Sequence, residues 1–265
     1  MVRDTNKGQS DILERGTIYF FYRPKVKQAP AKGTEETAAH GLKDVERLYM
    51  ILQPEGKREF RRVVIGAKKM PPIRDGGGKN WGFVDEVTGS ANTITKELKA
   101  ETYGTKTRGE RVRPEARPAA EGVYRIVRHG DHTHLAYALE LPKKEGEVQK
   151  SLNLEDQASY IISVKNPQKG QPRRAGLGKQ QKADFPKKLQ SRFEGRRFFD
   201  ADPPDFLNYE GCEILLIRAK DDARKELGIE LKTEDEDEAS AKVFKELKID
   251  RKKATKEPLL AGKWA

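Results

Sequence analysis

Four residues that could ligate a metal or move a proton fall in one short stretch: His129, Asp131, His132 and His134. Imidazole and carboxylate suit zinc and similar ions. The same groups could serve as general acid or base. Their spacing divides them. His132 and His134 are two apart and share one face of a strand, whereas His129 and Asp131 belong to the turn around Gly130. No cysteine lies near enough in sequence to complete a site. These four are the candidates for a metal-dependent enzyme, against the simpler reading of a polar hairpin turn.

Other segments point to anions. Gly76-Gly77-Gly78-Lys79 and Gly176-Leu177-Gly178-Lys179 combine glycines, which let backbone N–H groups converge, with a cation. Neither has the spacing of a P-loop, and Asn80 and Gln180 stand where Ser or Thr would bind magnesium. Lys79-Asn80-Trp81-Gly82-Phe83-Val84 partly resembles the RNP1 signature of RNA-recognition modules. It departs at Asn80, in place of glycine, and at Glu86, in place of a second stacking aromatic. The family is therefore not assigned, but Trp81 beside cations could stack on a base. From Lys165 to Arg197 the chain is strongly basic, with Arg173, Arg174, Lys187, Lys188, Arg196 and Arg197 around an expected helix. Arg111 and Arg113 lie in a second basic stretch, from Lys106 to Arg117. Such surfaces could follow a phosphate backbone. Asp200, Asp202 and Asp205 around Pro203-Pro204 read as a rigid acidic turn, and Cys212 as an inert buried thiol at a strand start.

Composition sets the frame. The chain has 265 residues, a formal charge of +11 and charged residues at 36%. The cationic excess lies before residue 200; beyond it acids slightly outnumber bases. A basic body attracts polyanions. No apolar run is long enough to span a bilayer, and the first ten residues lack a secretory signal's apolar stretch. A single cysteine cannot form an internal disulfide. The expectation is a cytoplasmic or nuclear protein, not secreted, without membrane or cofactor.

The elements that would position these residues are mostly strands. Short runs rich in aromatic and β-branched residues begin at Gly16, Leu48, Arg62, Trp81, Val123, Leu135, Ser159 and Glu213, and proline or glycine ends most of them. Helices are expected over Ile94 to Thr102, closed by Gly104, and over Asp184 to Phe193, closed by Gly195. The order of elements repeats. Glu46 to Pro54 aligns with His134 to Pro142, Ile65 to Pro71 with Ile162 to Pro167, and Leu98-Gly104 with Leu189-Gly195, at nearly constant offset. The expected fold class is α+β and strand-dominated: two diverged β-rich units, residues 15–121 and 122–218, each with one main helix, forming one pseudo-symmetric body. Residues 1–14 read as a flexible tail. Residues 219–265 read as a mixed-charge, mostly disordered tail with a short helix. Its Leu259, Leu260 and Trp264 form a docking peptide for the chain's own body or for a protein partner. The leading functional expectation is a non-enzymatic binder of nucleic acid or another polyanion. Its contacts would be Arg111, Arg113, Arg173, Arg174, Lys187, Arg196, Arg197 and Trp81. The alternatives are a protein–protein adaptor using the C-terminal tail and a metal-dependent enzyme at the histidine turn.

Overall fold

Val, Ile, Tyr and Phe suit a pleated surface that packs on one or both faces, and the apolar runs of this chain become strands. The computed structural model describes residues 10–28, 38–73, 78–106, 109–170, 181–218 and 227–265. The strands are β1 (Asp11–Pro24), β2 (Lys27–Gln28), β3 (Val45–Pro54), β4 (Phe60–Ile65), β5 (Lys79–Thr88), β6 (Glu101–Thr105), β7 (Gly109–Arg113), β8 (Arg117–His129), β9 (His132–Leu141), β10 (Gln157–Lys165), β11 (Phe198–Asp200) and β12 (Glu213–Arg218). The helices are short: α1 (Ala91–Leu98), α2 (Glu147–Leu152), α3 (Lys187–Ser191), α4 (Lys242–Lys245) and α5 (Glu257–Leu260).

Eight strands close into an antiparallel barrel in the order β1-β3-β4-β5-β12-β10-β9-β8, with β8 returning to β1. Closure rests on β10. One edge of β10 pairs with β12, and the other pairs first with β9 and then with β11. Alternate residues face inward, as strand geometry requires. Ile18, Phe20 and Tyr22 of β1 join Leu48, Met50, Val63, Val84, Tyr124, Leu135, Tyr137, Tyr160, Ile162, Ile214 and Leu216 in one buried core. At one end Met70, Val148, Leu152 and Leu154 join this core, tied by Met70 N–H donating to the Leu152 carbonyl at 2.9 Å. At the other end Phe185, Phe193, Phe199, Phe206 and Tyr209 pack ring to ring, with centroids 5.2 to 6.1 Å apart. The strands approach closely at Gly16, where a Cβ would lie 2.1 Å from the Gln53 carbonyl oxygen. Strands β2, β7 and β6 form a separate small sheet.

The outward residues of β1, β3 and β4 are apolar too. Tyr19, Phe21, Tyr49, Ile51 and Phe60 are covered by α1 and by Val243, Phe244, Leu247 and Leu259. Leu227 and Ile229 cover Val127 and Ala136. Residues 227–265, expected as a charged tail, thus line the barrel wall, and the acidic run explains part of how. Glu236 is buried, and Lys242 Nζ lies 3.0, 3.2 and 3.3 Å from Glu140, Glu234 and Glu236. Glu121 of β8 accepts the Lys242 and Val243 N–H groups at 2.9 and 2.7 Å. Burial, aided by nearby Glu236 and Glu140, pushes the Glu121 carboxyl up to about 7.

Other expectations shift at element ends. Asp11 to Glu14, read as tail, belong to β1, and the helix expected to run to Thr102 stops at Leu98. Its carbonyl end is held by the buried Arg23 guanidinium, which donates to Glu97 O at 2.6 Å and Lys99 O at 3.2 Å. The chain from Glu101 then turns into the β6–β7 hairpin. Helix α2 had no counterpart in the sequence reading. No helix among the described residues is long and apolar enough to cross a membrane.

One buried ion pair sets the polar end of the barrel interior. Arg61 Nη1 and Nη2 donate to Glu14 Oε1 and Oε2 at 2.6 and 2.9 Å, and Tyr124 donates to Glu14 Oε1 at 2.9 Å. Arg61 is fully buried. Arg61→Met leaves the Glu14 carboxylate without its main partner and is expected to cost about 3–5 kcal/mol. Urea unfolding measures this, and Glu14→Gln/Arg61→Met together should cost less than Arg61→Met alone. Removal of residues 227–265 uncovers Tyr19, Phe21 and Ile51. The expected product binds a hydrophobic dye and self-associates, as seen by light scattering; a monodisperse, dye-negative product would contradict the packing.

Candidate nucleic-acid interface

The outer faces of β5, β12, β10 and β11 carry a row of aromatic and aliphatic side chains. Along β5, Lys79, Trp81 and Phe83 alternate outward while Val84 is buried within the barrel. Gly82 between the rings faces the packed interior, where a Cβ would lie 2.8 Å from Ile214. Trp81 is registered opposite Leu215, Leu215 opposite Ser163, and Ser163 opposite Asp200. The Trp81 ring stacks beside Phe83, with centroids 6.4 Å apart and planes 16° apart. On its other side it meets Phe198 at 6.0 Å. All three rings, with Leu215, Ile217 and Ile161, remain partly exposed.

An ion pair lies in this face. Glu213 is registered opposite Phe83, and Lys165 opposite Phe198. Lys165 Nζ approaches Glu213 Oε1 at 3.3 Å, and both side chains are almost wholly buried. Exposed cations stand at the rim: Lys79 at the start of β5, Arg197 next to Phe198, and Lys169 beyond β10. Asp200 is a second acidic member of the face, with its carboxyl raised first by burial.

The residues expected to contact phosphate are only partly brought together. Trp81 meets the Phe198 ring, and Arg197 is exposed as the chain neighbour of Phe198. Arg196 is turned toward Phe199, 5.0 Å from the ring centroid, and donates to Glu194 at 3.0 Å. Lys187 is exposed at the start of α3. Arg111 and Arg113 lie on β7 of the small sheet, where Arg113 pairs with Glu101 at 2.9 Å and stacks over Tyr103. Arg173 and Arg174 lie outside the described residues, as do Gly76, Gly77 and the Gly176–Lys179 loop. Phe198 and Phe83 were not singled out from sequence. The signal for Phe83 was its place two residues after Trp81; Phe198 had only its neighbour Arg197.

The histidine turn is divided otherwise than its spacing suggested: His129 ends β8 opposite His132 at the start of β9, and its ring lies edge-on to His134 at 6.1 Å. His129 Nδ1 meets Ser10 Oγ at 3.0 Å, the buried His134 Nδ1 meets Ser159 Oγ at 3.1 Å, and His132 faces Asp131 at 3.5 Å. Among the described residues no group of three or more His, Cys, Asp or Glu side chains is placed to hold a metal ion. Cys212 is buried, and burial raises its thiol above the ordinary range. At the C-terminus Leu259 is fully buried, Leu260 is partly buried, and the Trp264 ring meets Tyr22 at 5.1 Å. The docking peptide is thus engaged by its own body.

No protein-family model matches the chain, and neither a curated protein nor a solved structure matches it. The class is set by geometry alone: a closed eight-stranded antiparallel barrel with a packed interior and, among the described residues, a partly exposed aromatic row on the outer face of β5, β12, β10 and β11.

Burial, with smaller contributions from His129 and His132, lowers the His134 imidazole from 6.5 to about 4. Its neutral form is favoured in the fold, so the unfolded chain binds the proton first as pH falls. The associated stability is complete above pH 6.5 and is lost progressively down to about pH 4, by roughly 3 kcal/mol. Replacement His134→Gln should flatten the dependence of urea stability on pH across this window. An unchanged slope would contradict this placement of His134.

Proposed function

We propose that the chain binds single-stranded nucleic acid across the outer face of β5, β12, β10 and β11, and does so without catalysing a reaction. The observation that carries this reading is the row Phe83–Trp81–Phe198, with ring centroids 6.4 and 6.0 Å apart, partly exposed and edged by Lys79 and Arg197. Bases stack on aromatic faces with little sequence preference, and lysine or arginine beside them takes the backbone phosphates. A duplex presents its bases stacked on one another, so a ring platform of this kind favours unpaired strands. The net charge of +11 adds long-range attraction for any polyanion. We also infer that the barrel arose from two diverged copies. Strands β1-β3-β4-β5 and β8-β9-β10-β12 are each consecutive antiparallel runs, joined first strand to first and last strand to last.

Fluorescence anisotropy with labelled single- and double-stranded RNA and DNA tests the binding reading. Tighter binding of single strands is expected. Trp81→Ala should weaken it roughly 5- to 150-fold, the worth of one stacked base. Arg197→Ala should reduce the slope of log affinity against log salt by about 0.7, one phosphate contact on a single strand. Equal binding by wild type and by Trp81→Ala/Phe83→Ala would remove the platform from the account.

A further inference from the structure

A groove of about 680 Å³ runs over the outer ends of β1, β3 and β8, on a different side of the barrel from the aromatic row. Its floor is Thr17, which is paired with Gln53 on one side and Val123 on the other. One wall is the turn between β3 and β4, from Glu55 to Arg58; the other is the C-terminal stretch that carries Lys232, Glu234, Lys242 and Glu246. The volume is in the range, roughly 300–1,000 Å³, of small-molecule sites.

The charges of this groove do not balance. Arg15, Lys57, Arg58, Arg125, Lys232 and Lys242 line it against only Glu55, Glu234 and Glu246. Three cations are engaged: Arg15 with Glu55, Lys57 with Glu14 at 3.6 Å, and Lys242 with Glu140, Glu234 and Glu236. The side chains of Arg58, Arg125 and Lys232 have no ion pair or hydrogen bond among the described residues. Arg125 is the most informative. It is half-buried and sits directly opposite Arg15 across the β1–β8 ladder. Arg15 is already held by Glu55, which leaves the Arg125 guanidinium as the cation of this pair without a carboxylate. A guanidinium matches the oxygens of a phosphate, which it holds by charge-assisted hydrogen bonds. At the floor the Gln53 amide is already engaged, accepting from the Tyr19 hydroxyl at 2.9 Å and donating to Glu246 at 3.4 Å.

We propose that this groove is a binding site for a phosphate group, carried by a small phosphorylated molecule, with Arg125 as its central contact and Arg58 and Lys232 at its walls. The site is separate from the aromatic face, so it stands or falls independently of nucleic-acid binding there.

Isothermal titration calorimetry of the full chain with inorganic pyrophosphate, at fixed ionic strength, tests this. Binding is expected for wild type, with affinity reduced about ten-fold or more in Arg125→Gln, the loss of one charge-assisted contact. Arg197→Ala, on the other face, should leave it unchanged. The thermal midpoint of Arg125→Gln without pyrophosphate should equal or exceed that of wild type, because a half-buried cation without a partner is removed; a folded variant that has lost the ligand is then established. No heat of binding for wild type, or equal weakening by Arg125→Gln and Arg197→Ala, would overturn the proposal. A labelled single-stranded oligonucleotide separates the two sources of phosphate. Unchanged oligonucleotide affinity in Arg125→Gln supports a small-molecule site. A loss matching that for pyrophosphate would make the groove part of a nucleic-acid track and overturn the separate site.

Discussion

A barrel closed by pairing both edges of β10 has an inner and an outer surface, and in this chain both are apolar along most strands. The inner surface is satisfied by its own side chains, which fill the lumen as expected for eight strands. The outer surface must be covered by something else, because apolar area left in water forfeits roughly 25 cal/mol per Å². Much of the remaining structure answers that requirement. Helix α1 and the stretch around α4 and α5 cover β1, β3 and β4, and Leu227 and Ile229 cover β8 and β9.

Charged groups fasten this covering and fix where it sits. Glu121 caps the start of α4 from the barrel wall, and Lys242 gathers three carboxylates beside it. A buried carboxylate requires such partners, and a misplaced covering segment would leave Glu121 and Glu140 unpaired. The same logic leaves the outer face of β5, β12, β10 and β11 distinct. Its rings pack on one another and flank the Lys165–Glu213 pair, yet they stay partly exposed. A partly exposed aromatic row edged by cations is where a functional surface is sought first.

The eight barrel strands were legible because punctuation agreed with pattern, whereas β2, β6, β7 and β11 were not. Pro54 ends β3, and Pro142 follows the last residue of β9. Helix boundaries were less legible. Lys96 to Ala100 are good helix formers, but tertiary contacts decide the end: Arg23 from a distant strand holds the last carbonyls of α1, and the chain beyond joins a hairpin. The C-terminal stretch misled because a run of like charges usually marks a solvated segment. Here the balancing charge, Lys242, lies a few residues further along, and apolar Val243 and Phe244 follow it directly. Trp81 was legible as a candidate but its direction was not. Both faces of β5 are apolar, so alternation alone cannot say which is outer, and Phe198 reaches it only through the order of strands.

The chain has two tryptophans, so Trp264→Phe leaves Trp81 as its only indole. The most direct measurement is the emission of that protein during titration with an unlabelled single-stranded oligonucleotide. Stacking of a base on Trp81 predicts saturable quenching and loss of access to iodide. Saturating oligonucleotide that leaves both emission and iodide access unchanged would contradict the account.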